Sequence, residues 1–186
     1  MVILREGSFD YEFPVGWQAL KWDDSNFHQK HFQSFGGSSK AAEFVAFDEK
    51  TLWLIECKDF RPNGRSKTVD LCDEIAQKFR ATLAGLVCAR NAQETQMRQF
   101  ARSALKKTDI RCVVHWEHPA KPHRLWPTEN MSRSDMRDKL RQRLKVADTK
   151  AELGNQKQLA ATVPWKITPA TSSASVHSAN EIQIQP

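Results

Sequence analysis

The sequence predicts an α/β domain, and three stretches carry that expectation. Residues 41–58 read as a β-hairpin, residues 70 to about 90 as a long helix, and residues 109–117 (DIRCVVHWE) as a further strand. The chain has 186 residues, enough for one domain with a genuine core. We expect that domain over residues 1–150, followed by a C-terminal tail over 151–186.

Taken in order, residues 2–5, 9–13 and 17–22 read as short strands, with Pro14 and Gly16 as a break. Asp23-Asp24-Ser25 can cap a short helix over 25–33. Gly36-Gly37-Ser38-Ser39 is a loop into the hairpin, whose arms are 41–48 (AAEFVAFD) and 51–58 (TLWLIECK). Arg61-Pro62-Asn63-Gly64-Arg65 is a second, basic loop. Asp70 or Thr68 opens the long helix, in which Val69, Ile75, Phe79, Leu83 and Leu86 follow a helical period. A helix follows over 92–106, then the 109–117 strand, then a basic helix over 132–146 capped by Ser132 or Ser134. Beyond about 154 the chain is rich in Ala, Thr, Ser, Gln and Pro. It reads as a weakly structured tail, pinned by Val163-Pro-Trp165 and Ile182-Gln-Ile184, or docked on the domain or a partner.

Composition narrows the functional classes. Hydrophobic residues make up 40% and charged residues 27%, as in soluble globular domains. Lys plus Arg number 28 against 22 Asp plus Glu, for a net charge of +6, which suits a polyanionic partner. The four cysteines are dispersed and read as reduced core thiols rather than a disulfide framework. There is no apolar stretch of signal-peptide length at the N-terminus and no run near the roughly 20 residues that cross a bilayer. The expectation is a soluble, cytoplasmic protein without a membrane partner.

The hairpin concentrates the chemistry. With Glu49-Lys50 as a two-residue loop, Asp48 pairs with Thr51, Phe47 with Leu52 and Val45 with Leu54, which sets Glu43 opposite Glu56. Side chains alternate along a strand, so Lys58 shares the face of Glu56 while Cys57 points away. Opposed like charges destabilise a strand pair, and a divalent cation between them removes the penalty. Oxygen ligands of this kind suit Mg²⁺, with Mn²⁺ as a possible substitute. Glu43, Glu56 and the backbone carbonyl of Cys57 are the expected ligands. Lys58 would stabilise charge on a phosphate or orient water. A cross-strand charge cluster on an exposed face is the alternative.

Lys40-Ala-Ala-Glu43-Phe-Val-Ala-Phe followed by Leu52-Trp-Leu-Ile-Glu56-Cys-Lys58 resembles the PD-(D/E)XK nuclease superfamily, with the two acids 13 positions apart. The resemblance covers about residues 25–117 by element order: helix, hairpin, long helix, strand. It implies a restriction-endonuclease-like α/β/α core with a central mixed sheet flanked by helices, and Mg²⁺-dependent hydrolysis of phosphodiester bonds, in DNA before RNA. Glu43 and Glu56 match its acidic ligands and Lys58 its catalytic lysine, with Glu at 43 where Asp is usual. It also implies a first core strand, which residues 17–22 can supply, and in some members an acid on the first helix. The 25–33 helix has none, leaving Glu12, Asp23 or Asp24. Some members place Gln or Lys near the phosphate, here Gln77 or Lys78. A defence, repair or mobile-element role, with a homodimer or a protein partner, fits such a nuclease. A non-catalytic nucleic-acid-binding or assembly module on the same fold is the other reading.

Lys40, Arg61, Arg65 and Lys67 flank the motif and are the expected nucleic-acid contacts; the 132–146 helix is a second basic surface, or a solvated face with Asp135 and Asp138. Trp22, Trp116 and Trp126 are candidates for base stacking. Cys112, His115, His118 and His123 have zinc-like spacing, but a strand over 109–117 sends Cys112 and His115 to opposite faces.

Overall fold

The protein is described by a computed structural model over residues 1–62, 69–118 and 132–170. Eight strands, β1 (Val2–Glu6), β2 (Phe9–Phe13), β3 (Gln18–Lys21), β4 (Phe44–Phe47), β5 (Thr51–Asp59), β6 (Asp109–Glu117), β7 (Glu152–Gly154) and β8 (Lys166–Pro169), fall into two sheets among the described residues. The central sheet runs β3-β4-β5-β6-β7 and is mixed: β3, β4 and β5 are antiparallel, while β5, β6 and β7 are parallel. The small sheet, β1-β2-β8, is antiparallel throughout. Helices α1 (Leu71–Ala89), α2 (Thr95–Ala104) and α3 (Arg133–Leu144) join the chain between strands, and α4 (Gln156–Leu159) follows β7.

The hairpin register is as expected. Phe47 opposes Leu52 and Val45 opposes Leu54. Asp48 makes the turn by accepting from the backbone N–H groups of Lys50 and Thr51, both at 2.7 Å, so a two-residue connection is chemically locked. Residues 17–22 do supply the additional strand: Ala19 opposes Ala46 and Leu20 opposes Val45.

The α/β class and the mixed central sheet are observed. The expected helix layer on both faces is not. Helices α1, α2 and α3 cover one face, around Leu54, Ile75, Phe79, Phe100, Cys112 and Leu140. The opposite face is covered mainly by the small sheet, around Phe9, Tyr11, Phe13, Phe44, Ile55 and Trp165. The physical reason lies in β2 and β8. In β2, Phe9, Tyr11 and Phe13 alternate with polar residues and present one apolar face, which packs on Phe44, Ile55 and Val113 of the central sheet.

Of the alternatives for the tail from residue 151, the chain as far as Ala170 is docked on the domain. Leu153 in β7 opposes Val114, and Ile167 in β8 opposes Tyr11. Val163 and Trp165 are buried, as the pinning expectation had them; Ile182 and Ile184 lie outside the described residues. The Cys112/His115 split is also observed. Cys112 packs toward the helices, whereas His115 lies under the small sheet, where the Tyr11 hydroxyl meets its Nδ1 at 2.6 Å and Glu117 its Nε2 at 3.0 Å. His118 stacks edge-on against Trp116 instead, and His123 is outside the described residues.

Asp70 caps α1, accepting from Cys72 N at 3.0 Å and Asp73 N at 3.2 Å. Ser132 caps α3 in a reciprocal box with Asp135. Three basic residues of α3 have acidic partners other than the expected Asp135 and Asp138. Lys139 pairs with Asp70, Arg143 with Asp73 and Arg141 with Glu152, so they bind α3 to the start of α1 and to β7.

A short π-helical turn, His28–Phe32, sits between β3 and β4, with Gln33 N–H donating to His28 O at 2.7 Å. Its Phe32 and the neighbouring Trp22 press on Gly85 of α1. A Cβ there would lie 2.9 Å from Trp22 Cζ2 and 3.5 Å from Phe32. Trp22 is fully buried and has no room to yield. Gly85→Ala is therefore expected to lower stability by about 1–3 kcal/mol in urea unfolding, although alanine favours helix by about 1 kcal/mol.

Candidate functional site

Three elements bring a charge cluster together at the helix-covered face of the hairpin. Trp22 N–H donates to Glu43 O at 2.8 Å, extending the β3–β4 pairing to the residue before β4. Continuing the hairpin register one step past Phe44–Ile55 sets Glu43 opposite Glu56, as expected. Helix α1 then crosses above them. Thr82 Oγ1 accepts from Ala42 N–H and donates to Lys78 O, both at 2.9 Å, which fixes the helix over the start of β4.

Glu56 is fully buried and Glu43 nearly so. Lys58 Nζ and Lys78 Nζ both reach Glu56 Oε1 at 2.6 Å, and Lys78 also donates to Glu43 Oε1 at 3.2 Å. The bridge between the opposed carboxylates is thus an ammonium group. Glu56 Oε2 and Asp23 Oδ1 are buried without a hydrogen-bond partner.

The two expected Mg²⁺ ligands, Glu43 and Glu56, are brought together, with an ammonium group between them. Lys78 fills the gap between Glu43 and Glu56. Among the described residues no group of three or more His, Cys, Asp or Glu side chains is placed to hold a metal ion. Cys57, whose carbonyl was the expected third ligand, stands opposite His115 in the β5–β6 ladder.

The electrostatics follow from burial and neighbours. Burial pushes Glu56 above the usual carboxylate range, against the pull of Lys58 and Lys78. Burial acts the same way on Glu43, but its hydrogen bond with Asp23 and the charges of Lys78 and Lys58 outweigh it and hold Glu43 low. Asp23 takes the other half of that exchange. Burial first, then Glu43, raises its carboxyl to about 9, so it carries a proton at neutral pH. Burial disfavours the Lys78 charge, yet Glu56 and Glu43 more than restore it.

The other expected site residues divide. Lys40 is exposed and lines the cleft over this cluster, an opening of about 490 Å³ that also takes in Asp23, His28, Lys58, Glu74 and Lys78. Gln77 does not belong to it: the residue is exposed and lines neighbouring grooves instead. Asp24 reaches the cleft wall but is held by Lys21 at 2.8 Å, and the helix-capping contact comes from Ser25, whose Oγ accepts from His28 N–H. Glu12 lies in β2, opposite Lys166, on the far sheet. Arg61 grips Asp59 through two bonds and lies 4.7 Å over the Phe9 ring, on the small-sheet side of β5. Arg65 and Lys67 are outside the described residues. Trp22 and Trp116 are core residues, and Trp126 is outside the described residues.

Sequence reasoning undervalued Lys78 and Asp23. The signal for Lys78 was a stripe: Glu74, Lys78 and Thr82 recur every four residues on one side of α1, between the apolar positions Ile75 and Phe79, and all three are buried. Asp23 had no such pattern, since its role depends on the turn that aims it at Glu43.

No protein-family model matches the chain, and no solved structure matches it. It is similar to a cysteine–tRNA ligase of Neisseria meningitidis, 29% identical over 187 aligned residues that take in 83% of this chain and 26% of the ligase. The chain thus spans about a quarter of the length of the curated relative it matches. This likeness overturns the expectation of a Mg²⁺-dependent nuclease hydrolysing DNA. The relative is a ligase. No helix among the described residues is long and apolar enough to cross a membrane.

Two outcomes follow from the cluster. Lys78→Met leaves a buried carboxylate pair without its bridge and is expected to cost about 3 kcal/mol in urea unfolding, the low end for a broken buried pair because Lys58 stays on Glu56. Asp23 is raised from 3.8 to about 9, so across that window the folded protein holds a proton that the unfolded chain releases, and stability falls as pH rises. Asp23→Asn is expected to flatten this fall, read as thermal midpoints between about pH 5 and about 9; an unchanged slope would assign the proton elsewhere.

Proposed function

We propose that the chain is a tRNA-engaging domain of the kind that serves an aminoacyl-tRNA ligase, with the cleft over Glu43, Glu56 and Lys78 as its RNA contact. The observation that carries this reading is the composition of the cleft. Lys40 is the exposed ammonium there, above Lys58 and Lys78, which are held by Glu56, and Asp23, Asp24 and Glu74 line the same opening of about 490 Å³, within the range of ligand sites. Ammonium groups meet phosphates, and carboxylates accept hydrogen bonds from the ribose 2′-hydroxyl, the group that distinguishes RNA from DNA. The net charge of +6 supplies the general attraction, and the likeness to a cysteine–tRNA ligase supplies the class of RNA. The resemblance of the hairpin to PD-(D/E)XK cores is then a matter of scaffold: the charged strand pair is kept while Lys78 bridges the acids.

The test is fluorescence anisotropy with a tRNA transcript and a DNA duplex of equal charge, titrated from about 50 to about 200 mM salt. The tRNA is expected to bind more tightly than the duplex. Lys40→Ala, an exposed change that leaves the fold alone, is expected to weaken tRNA binding and lower the salt slope by about one. Equal affinity for DNA, or no binding of tRNA at low salt, would sink the reading.

A further inference from the structure

A second opening lies on the other side of the π-helical turn. His28, Gln29 and Gln33 of this segment face the charged cleft, whereas Asn26, Phe27, His31 and Phe32 face a groove of about 410 Å³ against the end of α1 and the α1–α2 connection. Three phenylalanines run along this groove in a stack. Phe27 and Phe32 lie 6.4 Å apart at 22°, and Phe32 and Phe35 lie 5.5 Å apart at 27°. Phe32 is buried, but Phe35, the outer ring, is 66% exposed. The loop holding it is anchored. Phe35 N–H donates to Phe32 O at 2.9 Å, Ser39 N–H donates to Gln33 O at 2.7 Å, and Gly36 and Gly37 turn the chain between them at positive φ.

We infer that this groove is a binding site for an unpaired nucleobase of RNA, stacked on Phe35. The inference rests on the RNA reading of the neighbouring cleft and adds a site to it. An open aromatic face in register with two further rings is the geometry on which a base stacks, whatever its identity. The groove rim suits base edges: the amides of Asn26, Asn91 and Gln93 offer donors and acceptors side by side. Exposed Lys30 and Arg90 adjoin the lining residues His31 and Asn91 and place positive charge where the flanking phosphates run. Glu94 is the one acid among the described lining residues, at the α2 end. The turn shared with the cleft makes the two sites adjacent, so one RNA strand held by its backbone over Lys40 presents its next base to Phe35.

The experiment is tRNA binding by wild type, Phe35→Ala and Phe35→Trp, with salt titration. Phe35→Ala is expected to bind about tenfold more weakly, the loss of one stacked base, with an unchanged salt slope because no phosphate contact is removed. Phe35→Trp is expected to restore affinity, and its indole emission to be quenched by bound RNA. In wild type, Cys88 is an exposed thiol on the groove wall, and bound tRNA is expected to slow its alkylation, while buried Cys72 and Cys112 stay unreactive. If wild type binds tRNA and Phe35→Ala binds it equally well, this site is refuted and the cleft reading stands. If wild type binds no tRNA, both fall. Sedimentation showing a wild-type dimer that Phe35→Ala dissolves would make the groove an interface between copies and overturn the nucleobase assignment.

Discussion

Glu56 is a carboxylate with no exposure, placed in the middle strand of the central sheet. Burying such a charge costs several kcal/mol unless partners surround it. The surrounding structure is arranged to supply them. Lys58 comes from the same strand face two residues on, and Lys78 comes down from α1. For Lys78 to reach, α1 must cross the start of β4, and the Thr82–Ala42 bond holds it there. For α1 to sit so close, the residue under Trp22 must be Gly85. An apolar residue in place of Glu56 would pack at lower cost. The charge at Glu56 instead fixes where Lys58 and Lys78 stand beneath the cleft.

The alternation of β5 divides the molecule's chemistry between two faces. Glu56 and Lys58 serve the helix side, and Cys57 and Asp59 serve the side of the small sheet. On that second side polarity is satisfied internally. Tyr11 donates to Nδ1 of His115, which leaves Nε2–H for Glu117, and Glu117 also accepts from Gln156 N–H at 2.8 Å. Burial keeps His115 neutral, against the pull of Glu117. Cys57, close by at 3.8 Å, has its thiol pushed up to about 12 by burial. A thiol so protonated is a poor nucleophile. This network ties β2, β6 and α4 together and leaves the opposite face as the one with open charge.

The hairpin, its register, the Asp70 cap and the β6 strand were legible in the sequence because each rests on local chemistry: an Asx turn, a strand period, a capping carboxylate. What was not legible depends on distant partners. β7 and β8 are short stretches, Glu-Leu-Gly and Lys-Ile-Thr-Pro, whose strand character comes from pairing with β6 and β2. The acidic partners of Lys139, Arg143 and Arg141 in α3 come from Asp70, Asp73 and Glu152, distant in sequence. The opposed glutamates were placed correctly, but an ammonium from 22 residues along the chain answers their repulsion as well as a metal ion would. The exposure of Phe35 was not legible because it depends on the loop that follows it. Trp22 is core, and Phe35 is lifted out by the two glycines that follow it.

A cleft holding carboxylates is a poor surface for a polyanion attracted by charge alone. Phosphates brought near Glu43 and Glu56 would be repelled as strongly as Lys40 and Lys58 attract them, unless the acids are already neutralised. Here they are: Lys78 spans the pair and Asp23 keeps a proton on Glu43's side. In the proposed RNA contact that leaves Lys40 for phosphate and the Asp24 carboxylate on the cleft wall for a hydroxyl donor. A deoxyribose has no such donor to offer, so on the proposed reading the acids lining the cleft favour RNA over DNA.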